Sequence, residues 1–164
     1  MVIALCGYMG SGKSTLGKML AKKLAFDFVD LDGYIEEKEN MSIPQIFANY
    51  GEAYFRQCEY SALASFLNAN NTVLSLGGGV PIADENKKLL KGMFVVYIDS
   101  SFEDCYKRIK TTDRPIVKQK NKSELEKHYN DRVIHYKKVA NLIVYGNNLK
   151  KMTEQIVQFV KEKI

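Results

Sequence analysis

Cysteine is scarce. Cys6, Cys58 and Cys105 are the only three in 164 residues, an odd number set far apart. They make neither a disulfide framework nor a CxxC metal knuckle. With two histidines in the chain, a zinc site is not expected. Long apolar runs are also missing. None approaches the ~20 residues that cross a bilayer, so no membrane partner is expected. The opening stretch Met1–Cys6 has no basic n-region, and its apolar run stops at Gly7. It does not read as a secretory leader, and the cytoplasm is the expected location. A basic block, an RNP-like aromatic motif and a zinc finger are all lacking. The formal net charge is +5, but the pairs Lys22-Lys23, Lys87-Lys88, Lys137-Lys138 and Lys150-Lys151 are scattered. That pattern argues against nucleic acid and for small phosphate- or carboxylate-bearing substrates.

What is present is an ordinary globular mix, 46% hydrophobic and 26% charged, sized for one domain over residues 1–164. Short apolar runs alternate with amphipathic stretches. Strands are predicted at Val2–Cys6, Phe28–Leu31, Thr72–Leu76, Met93–Ile98 and Leu142–Tyr145. Helices are predicted after Lys13, where Leu16, Met19, Leu20 and Leu24 recur, after a capping box at Ser42–Gln45, and from Asp84 as cap toward Leu90. Others are predicted over Phe102–Ile109, from a capping box at Ser123–Glu126, and after Asn148. The alternation predicts a parallel sheet covered on both faces. Between helices, Lys110–Lys122 is polar and long for a connection, which marks either a functional lid or a plain surface loop.

The strongest motif is Gly7-Tyr8-Met9-Gly10-Ser11-Gly12-Lys13-Ser14, a full G-x-x-x-x-G-K-[ST] between a strand and a helix. Glycines let main-chain N–H groups turn inward around phosphate oxygens, and the helix N-terminus adds partial positive charge. Lys13 brings a point charge to the β- and γ-phosphates, and the Ser14 hydroxyl suits Mg²⁺. The motif predicts nucleotide binding without specifying a reaction. A guanine-reading Asn-Lys-x-Asp is absent, since Asn121-Lys122-Ser123-Glu124 lacks the aspartate.

Two weaker patterns accompany it. Asp30-Leu31-Asp32 closes the second strand, where residues two apart share a side and strand ends line the ligand crevice. One carboxylate can then hold the metal shell while the other orients and deprotonates a hydroxyl. Alternatively, the pair caps the next helix. Gly77-Gly78-Gly79 suits a ligand approaching the main chain closely, or a plain turn. Arg56, three before Glu59, together with Arg114 in Asp113-Arg114-Pro115 and Arg132, four before Tyr136, offers planar forks for carboxylate or phosphate. Each alone also reads as a surface ion pair.

Taken in order, Gly7–Ser14, Asp30-Leu31-Asp32, Phe55-Arg56 with Glu59, Gly77-Gly78-Gly79, Arg114-Pro115 and Arg132 with Tyr136 closely resemble the shikimate kinase family over nearly the whole chain. The resemblance implies a three-layer α/β/α fold of the P-loop nucleoside monophosphate kinase-like group, with a five-stranded parallel sheet and a mobile lid near 110–122. It implies a monomer that transfers the γ-phosphoryl group of ATP to the 3-hydroxyl of shikimate. It assigns Gly10, Ser11, Gly12, Lys13, Ser14 and Thr15 to the ATP phosphates, with Ser14 and Asp30 serving Mg²⁺. Lys13, Asp32 and Arg114 become the catalytic set, with Asp32 as base and Arg114 closing from the lid. Arg56, Arg132, Asp32 and the turn Gly77–Gly79 bind shikimate. Glu59 orients Arg56, Phe47 and Phe55 line the pocket, and Arg108 stacks on adenine. The chain departs from the family pattern at Ile116-Val117, where two leucines are usual, and at Tyr145–Asn148, which lacks a nearby proline. Ser75 stands where a Walker-B aspartate would follow the third strand, in keeping with the family. A gluconate-type or nucleotide kinase would share the P-loop and lid. A nucleotide-binding module without turnover would share the P-loop alone.

Overall fold

The computed structural model describes residues 1–163. In chain order the elements are β1 (Val2–Cys6), α1 (Lys13–Leu24), β2 (Asp27–Asp30), α2 (Leu31–Glu39), α3 (Ile43–Ser65) and β3 (Thr72–Ser75). A 3-10 turn at Val80–Ile82 leads into α4 (Asp84–Leu90) and β4 (Phe94–Asp99). Then come α5 (Phe102–Ile109), α6 (Pro115–Gln119), α7 (Lys122–Val139), β5 (Leu142–Tyr145) and α8 (Leu149–Lys161). The five strands pair in the order β2-β3-β1-β4-β5, every pair parallel.

Side-chain alternation along the strands divides the core in two. Val2, Ala4 and Cys6 of β1 join Leu74, Val95 and Tyr97 on one face, beneath Ile35, Phe55, Leu63 and Tyr136 from α2, α3 and α7. Ile3 and Leu5 join Val73, Val96, Ile98 and Val144 on the other face, beneath Leu16 and Leu20 of α1 and Met152 and Ile156 of α8. A parallel sheet buried on both faces needs apolar residues at every position, which is why its strands read as unbroken runs. The three-layer fold agrees with the expectation. The chain moves outward from β1 on both sides, toward β3 and toward β4. The carboxyl end of β1 is therefore the switch point where such sheets bind ligands.

Several local expectations are corrected. The second strand ends at Asp30 rather than Leu31, and α2 follows at once, the helix that the alternative reading of the acidic pair required. The Asp30 carboxylate accepts the Asp32 N–H at 3.3 Å and so caps α2, while Leu31 and Ile35 anchor it one turn apart in the core. Asp84 is not a cap; it is the first helical residue of α4, engaged with Lys87 at 2.9 Å. Helix α7 is capped by Asn121, whose Oδ1 accepts the Glu124 N–H at 2.9 Å, and Ser123 lies inside the helix. The Lys110–Lys122 segment is not uniformly irregular, since α6 forms within it once Pro115 presets the first turn. The capping box of α3 is present with both reciprocal bonds. The helix breaks at Gly51, which takes φ 84°, a left-handed conformation that disfavours a side chain.

Candidate active site

The cleft opens where β1, β2 and β3 end. It encloses about 240 Å³ and is lined by Gly10, Gly12, Lys13, Ser14, Thr15, Asp30, Asp32, Ser75, Gly77, Gly78 and Arg114, with Met9 and Leu76. Gly12 forms the N-cap of α1 at φ 95° with no side-chain cap, so the first N–H groups of that helix are left for a ligand. The left-handed φ at Gly12 disfavours any side chain, and a Cβ there would also press on the Leu149 side chain at 3.0 Å.

Lys13 Nζ donates to the carbonyls of Gly7 and Tyr8, both at 2.9 Å. Burial pulls its pKa down to about 8, with Arg114 adding to the pull, while Asp32 and Cys6 oppose it. Asp32 is half-buried in the first turn of α2. Burial raises its pKa first, and the Asp30 charge raises it further, against Lys13 and Arg114. A carboxylate so placed is a stronger base than one in water. Asp30 and Asp32 both reach the cleft, but through the strand-to-helix turn and not through strand alternation.

The three glycines after β3 are each crowded by a different functional group. A Cβ on Gly77 would lie 2.7 Å from Asp32 Oδ1, and one on Gly78 would lie 3.1 Å from Arg132 Nη1. One on Gly79 would run into the Arg56 guanidinium. The turn is therefore glycine because polar side chains need the space beside its main chain. Arg56 and Arg132 come from α3 and α7 and meet at this turn, on the rim of the lined cleft. Arg56 is held by Glu59 at 2.6 Å and Glu52 at 3.4 Å. Burial works against its charge, but the two carboxylates together raise its pKa above the ordinary arginine value. The Tyr136 hydroxyl donates to the Gly78 carbonyl at 2.8 Å and holds the turn from the α7 side.

Other expected residues fall differently. Ser11 does not line the cleft. Its side chain is buried with an unpartnered hydroxyl beside Gly7, and its N–H is bonded to Tyr8 O at 3.1 Å. Arg108 lies across the P-loop, donating to Gly10 O at 2.7 Å. Phe55 is buried and packs on the half-exposed Phe47, ring centroids 4.9 Å apart. Ser75 lines the cleft beside Asp30, its register partner. A roomier groove of about 400 Å³ lies between α2 and α3, but it gathers no anion-binding or acid–base set. Its Glu39 already takes hydrogen bonds from Tyr54 and Cys58.

One contact beside the cradle was not foreseen: the Tyr8 hydroxyl lies 2.9 Å from His128 Nδ1 on α7. The signal available was the spacing of His128, Arg132 and Tyr136 on one face of α7.

The family model for shikimate kinase matches residues 9–163. A shikimate kinase of Sulfurihydrogenibium sp. is 41% identical over 99% of this chain and 96% of its own length. The solved structure of a shikimate kinase from Acinetobacter baumannii in complex with shikimate superposes with TM-score 0.92 at 32% identity, covering 99% of this chain and 93% of that one. Deoxyadenosine kinase from M. mycoides, at TM-score 0.62 and 16% identity over all of both chains, shares the fold alone.

Proposed function

The chain belongs to the shikimate kinase family, an ATP-dependent kinase of shikimate, and we propose that the cleft beside Lys13 is where the transfer takes place. What supports this assignment is the convergence of Asp32, Arg132 and Arg56 on three successive glycines, facing the phosphate cradle. That arrangement presents a base and two carboxylate forks within one small space. A neutral polyol gives no reason for the second fork, whereas gluconate and a nucleotide each carry an anion that two forks can hold, so the choice of acceptor is tested by assay.

The roles follow from where each group sits. The main chain at Gly10 and Gly12 and the free end of α1 hold the phosphates, with Ser14 and Thr15 at the mouth. Lys13 leaves the Gly7 and Tyr8 carbonyls for the β- and γ-phosphates. Arg114, at the start of α6, closes over the transferring group from the lid and excludes water. Arg56 and Arg132 hold the shikimate carboxylate across the ring, while the Gly77–Gly79 turn receives the ring hydroxyls. The 3-hydroxyl then faces Asp32. As the oxygen attacks phosphorus, its proton passes to the Asp32 carboxylate and the bond to the ADP oxygen breaks. The transition state is loose, so positioning and charge neutralisation carry most of the rate. Asp32 takes the proton late, which is why a carboxylate suffices.

Magnesium fits the donors present. Ser14 and Asp30 supply only oxygen, the donor type a hard divalent cation prefers. Among the described residues no cluster of three or more His, Cys, Asp or Glu could hold a metal by itself, so the ion would be held jointly with the nucleotide. Ser14 would ligate directly and Asp30 through water. When bound, the ion neutralises charge on the β- and γ-phosphates. Among the described residues no helix is long and apolar enough to cross a membrane, and Cys6, Cys58 and Cys105 are free thiols. Our reading of a cytoplasmic monomer that takes small molecules, and neither nucleic acid nor membrane, rests on the chain's size, its scattered basic pairs and its family.

An ADP-release assay with shikimate, gluconate and AMP as acceptors tests the assignment. Turnover with shikimate alone is expected. Turnover with gluconate or AMP instead makes the protein a different small-molecule kinase, and binding without turnover makes it a nucleotide-dependent module.

A further inference from the structure

Tyr8 occupies the second position of the phosphate cradle, yet its side chain points away from the cleft. It is 1% exposed, and its ring packs edge-on against His128 and Tyr129, with centroids 5.5 and 5.1 Å apart. Its hydroxyl lies 2.9 Å from His128 Nδ1 and 3.4 Å from the Leu125 carbonyl, both on α7. Burial, with Arg132 and Lys120 adding to it, holds the His128 pKa down at about 4, so the ring is neutral near pH 7. Burial pushes the Tyr8 hydroxyl up to about 12, so it keeps its proton. Both tautomers of the neutral ring preserve the link. With the ring proton on Nε2, Tyr8 donates to Nδ1. With it on Nδ1, the ring donates to the Tyr8 oxygen and the hydroxyl proton turns to Leu125 O.

Leu125, His128, Arg132 and Tyr136 recur at three- and four-residue intervals, so they share one face of α7. Tyr136 ties the later part of the helix to Gly78 O at 2.8 Å. Tyr8 ties the earlier part, just after the lid joins α7 at Lys122. Arg132 lies between the two ties. The Tyr8 carbonyl, meanwhile, accepts from Lys13 Nζ at 2.9 Å, and phosphate oxygens compete for that same ammonium. One residue therefore has its main chain on the phosphate-reading lysine and its side chain on the helix that carries Arg132.

We propose that the Tyr8 hydroxyl is a positioning group that links the two substrate sites. It holds the lid-bearing end of α7 against the phosphate cradle, so that capture of phosphate by Lys13 tightens the grip of Arg132 on the shikimate carboxylate. This rests on the site assignment above. The link is thermodynamic and therefore reciprocal, with each substrate raising the affinity of the other by one common factor. A single neutral hydrogen bond sets the scale of that factor at about two- to twelve-fold.

Calorimetric titration of shikimate, with and without the magnesium complex of a non-hydrolysable ATP analogue, reads the link directly. Wild type is expected to bind shikimate more tightly when the analogue is present. Tyr8→Phe keeps the ring and removes only the hydroxyl. It is expected to lose about two- to twelve-fold of that gain. The effect of shikimate on analogue affinity should shrink by the same factor, while analogue affinity measured alone stays put. His128→Ala should reproduce the loss, and His128→Asn, which keeps an acceptor, should restore most of it. In an Arg132→Ala background Tyr8→Phe should change shikimate affinity no further, whereas a merely structural role would weaken both backgrounds alike. The proposal is overturned by an unchanged link in Tyr8→Phe, by equal losses in both backgrounds, or by a wild type with no link. If Arg132→Ala alone leaves shikimate affinity intact, the site assignment itself is wrong.

Discussion

Glu59 Oε1 holds Arg56 Nη1 at 2.6 Å from a position only 1% exposed. The short bond makes the pair an orienting device, since it fixes the fork beside Gly79. Holding a carboxylate there also carries a burial cost. Burial raises the Glu59 pKa, and Arg56 only partly pulls it back. At neutral pH the charged bond is made, but the fold bears part of the cost of burying the carboxylate.

A prediction follows for Glu59→Gln. A group whose folded pKa is raised contributes stability that is present below its unfolded value and lost as pH rises through the folded one. Wild type therefore gains on the glutamine variant as pH falls through the carboxylate range. At neutral pH the variant should melt at or above wild type while its KM for shikimate rises, because the fork is no longer held. Thermal midpoints at about pH 4.5 and pH 7 read this directly. A variant that melts well below wild type by the same margin at both values would make Glu59 a net stabiliser.

Gly79→Ala tests the space beside that fork. Gly79 has φ −89° and ψ −13°, a conformation alanine adopts freely, so the backbone is not strained. The new methyl collides with the Arg56 guanidinium and must push it aside. KM for shikimate should rise about ten-fold or more, the scale of one charge-assisted bond, with KM for ATP little changed. An unaltered shikimate KM would show that Arg56 does not act at this turn.

Asp32→Asn keeps the shape and removes the proton acceptor. Turnover should fall by about 10²- to 10⁴-fold, the usual worth of a positioned base, with nucleotide affinity nearly unchanged. Direct titration of Mg·ATP together with steady-state kinetics separates the two roles. Weakened Mg·ATP binding with intact shikimate binding would make Asp32 the metal-side residue and exchange its role with Asp30.

For Arg132→Ala the shikimate KM should rise about 10- to 150-fold, from the range for a hydrogen bond to a charged group. The carboxylate does not change charge during transfer, so its grip is mostly uniform binding and falls chiefly on KM. Arg56→Lys should rescue only partly, because an ammonium cannot present a planar fork. A shikimate analogue with a neutral carboxamide should bind wild type far more weakly than shikimate does, yet bind Arg132→Ala about as well. If wild type binds the two alike, there is no carboxylate clamp.

Much of the molecule was legible in advance, and the misses have physical causes. The five strands and the P-loop are visible because each is a local pattern, either an apolar run or a fixed spacing of glycines. Asp30 and Asp32 were expected either to face the cleft through strand alternation or to cap the next helix, and Asp30 does cap it. Both face the cleft because Asp30 closes a cap on the Asp32 N–H and the chain turns into α2. Strand end and helix start look alike over three residues, and only the buried places of Leu31 and Ile35 decide between them. Asn121 displaced Ser123 as the cap of α7 for a similar reason, since two capping residues in tandem differ only in which one meets the right N–H.

By itself, then, the sequence determined the phosphate cradle and the character of the sheet, because both are set by residues close together in the chain. The tertiary structure alone decided what surrounds that cradle. Tyr136 and Gly78 lie 58 positions apart, and Tyr8 and His128 lie 120 apart. No spacing rule reaches that far. Those residues meet because α7 packs on the 3-10 turn Val80–Ile82 and on β4, burying Tyr136 completely, and that seating also brings Arg132 to the glycine turn.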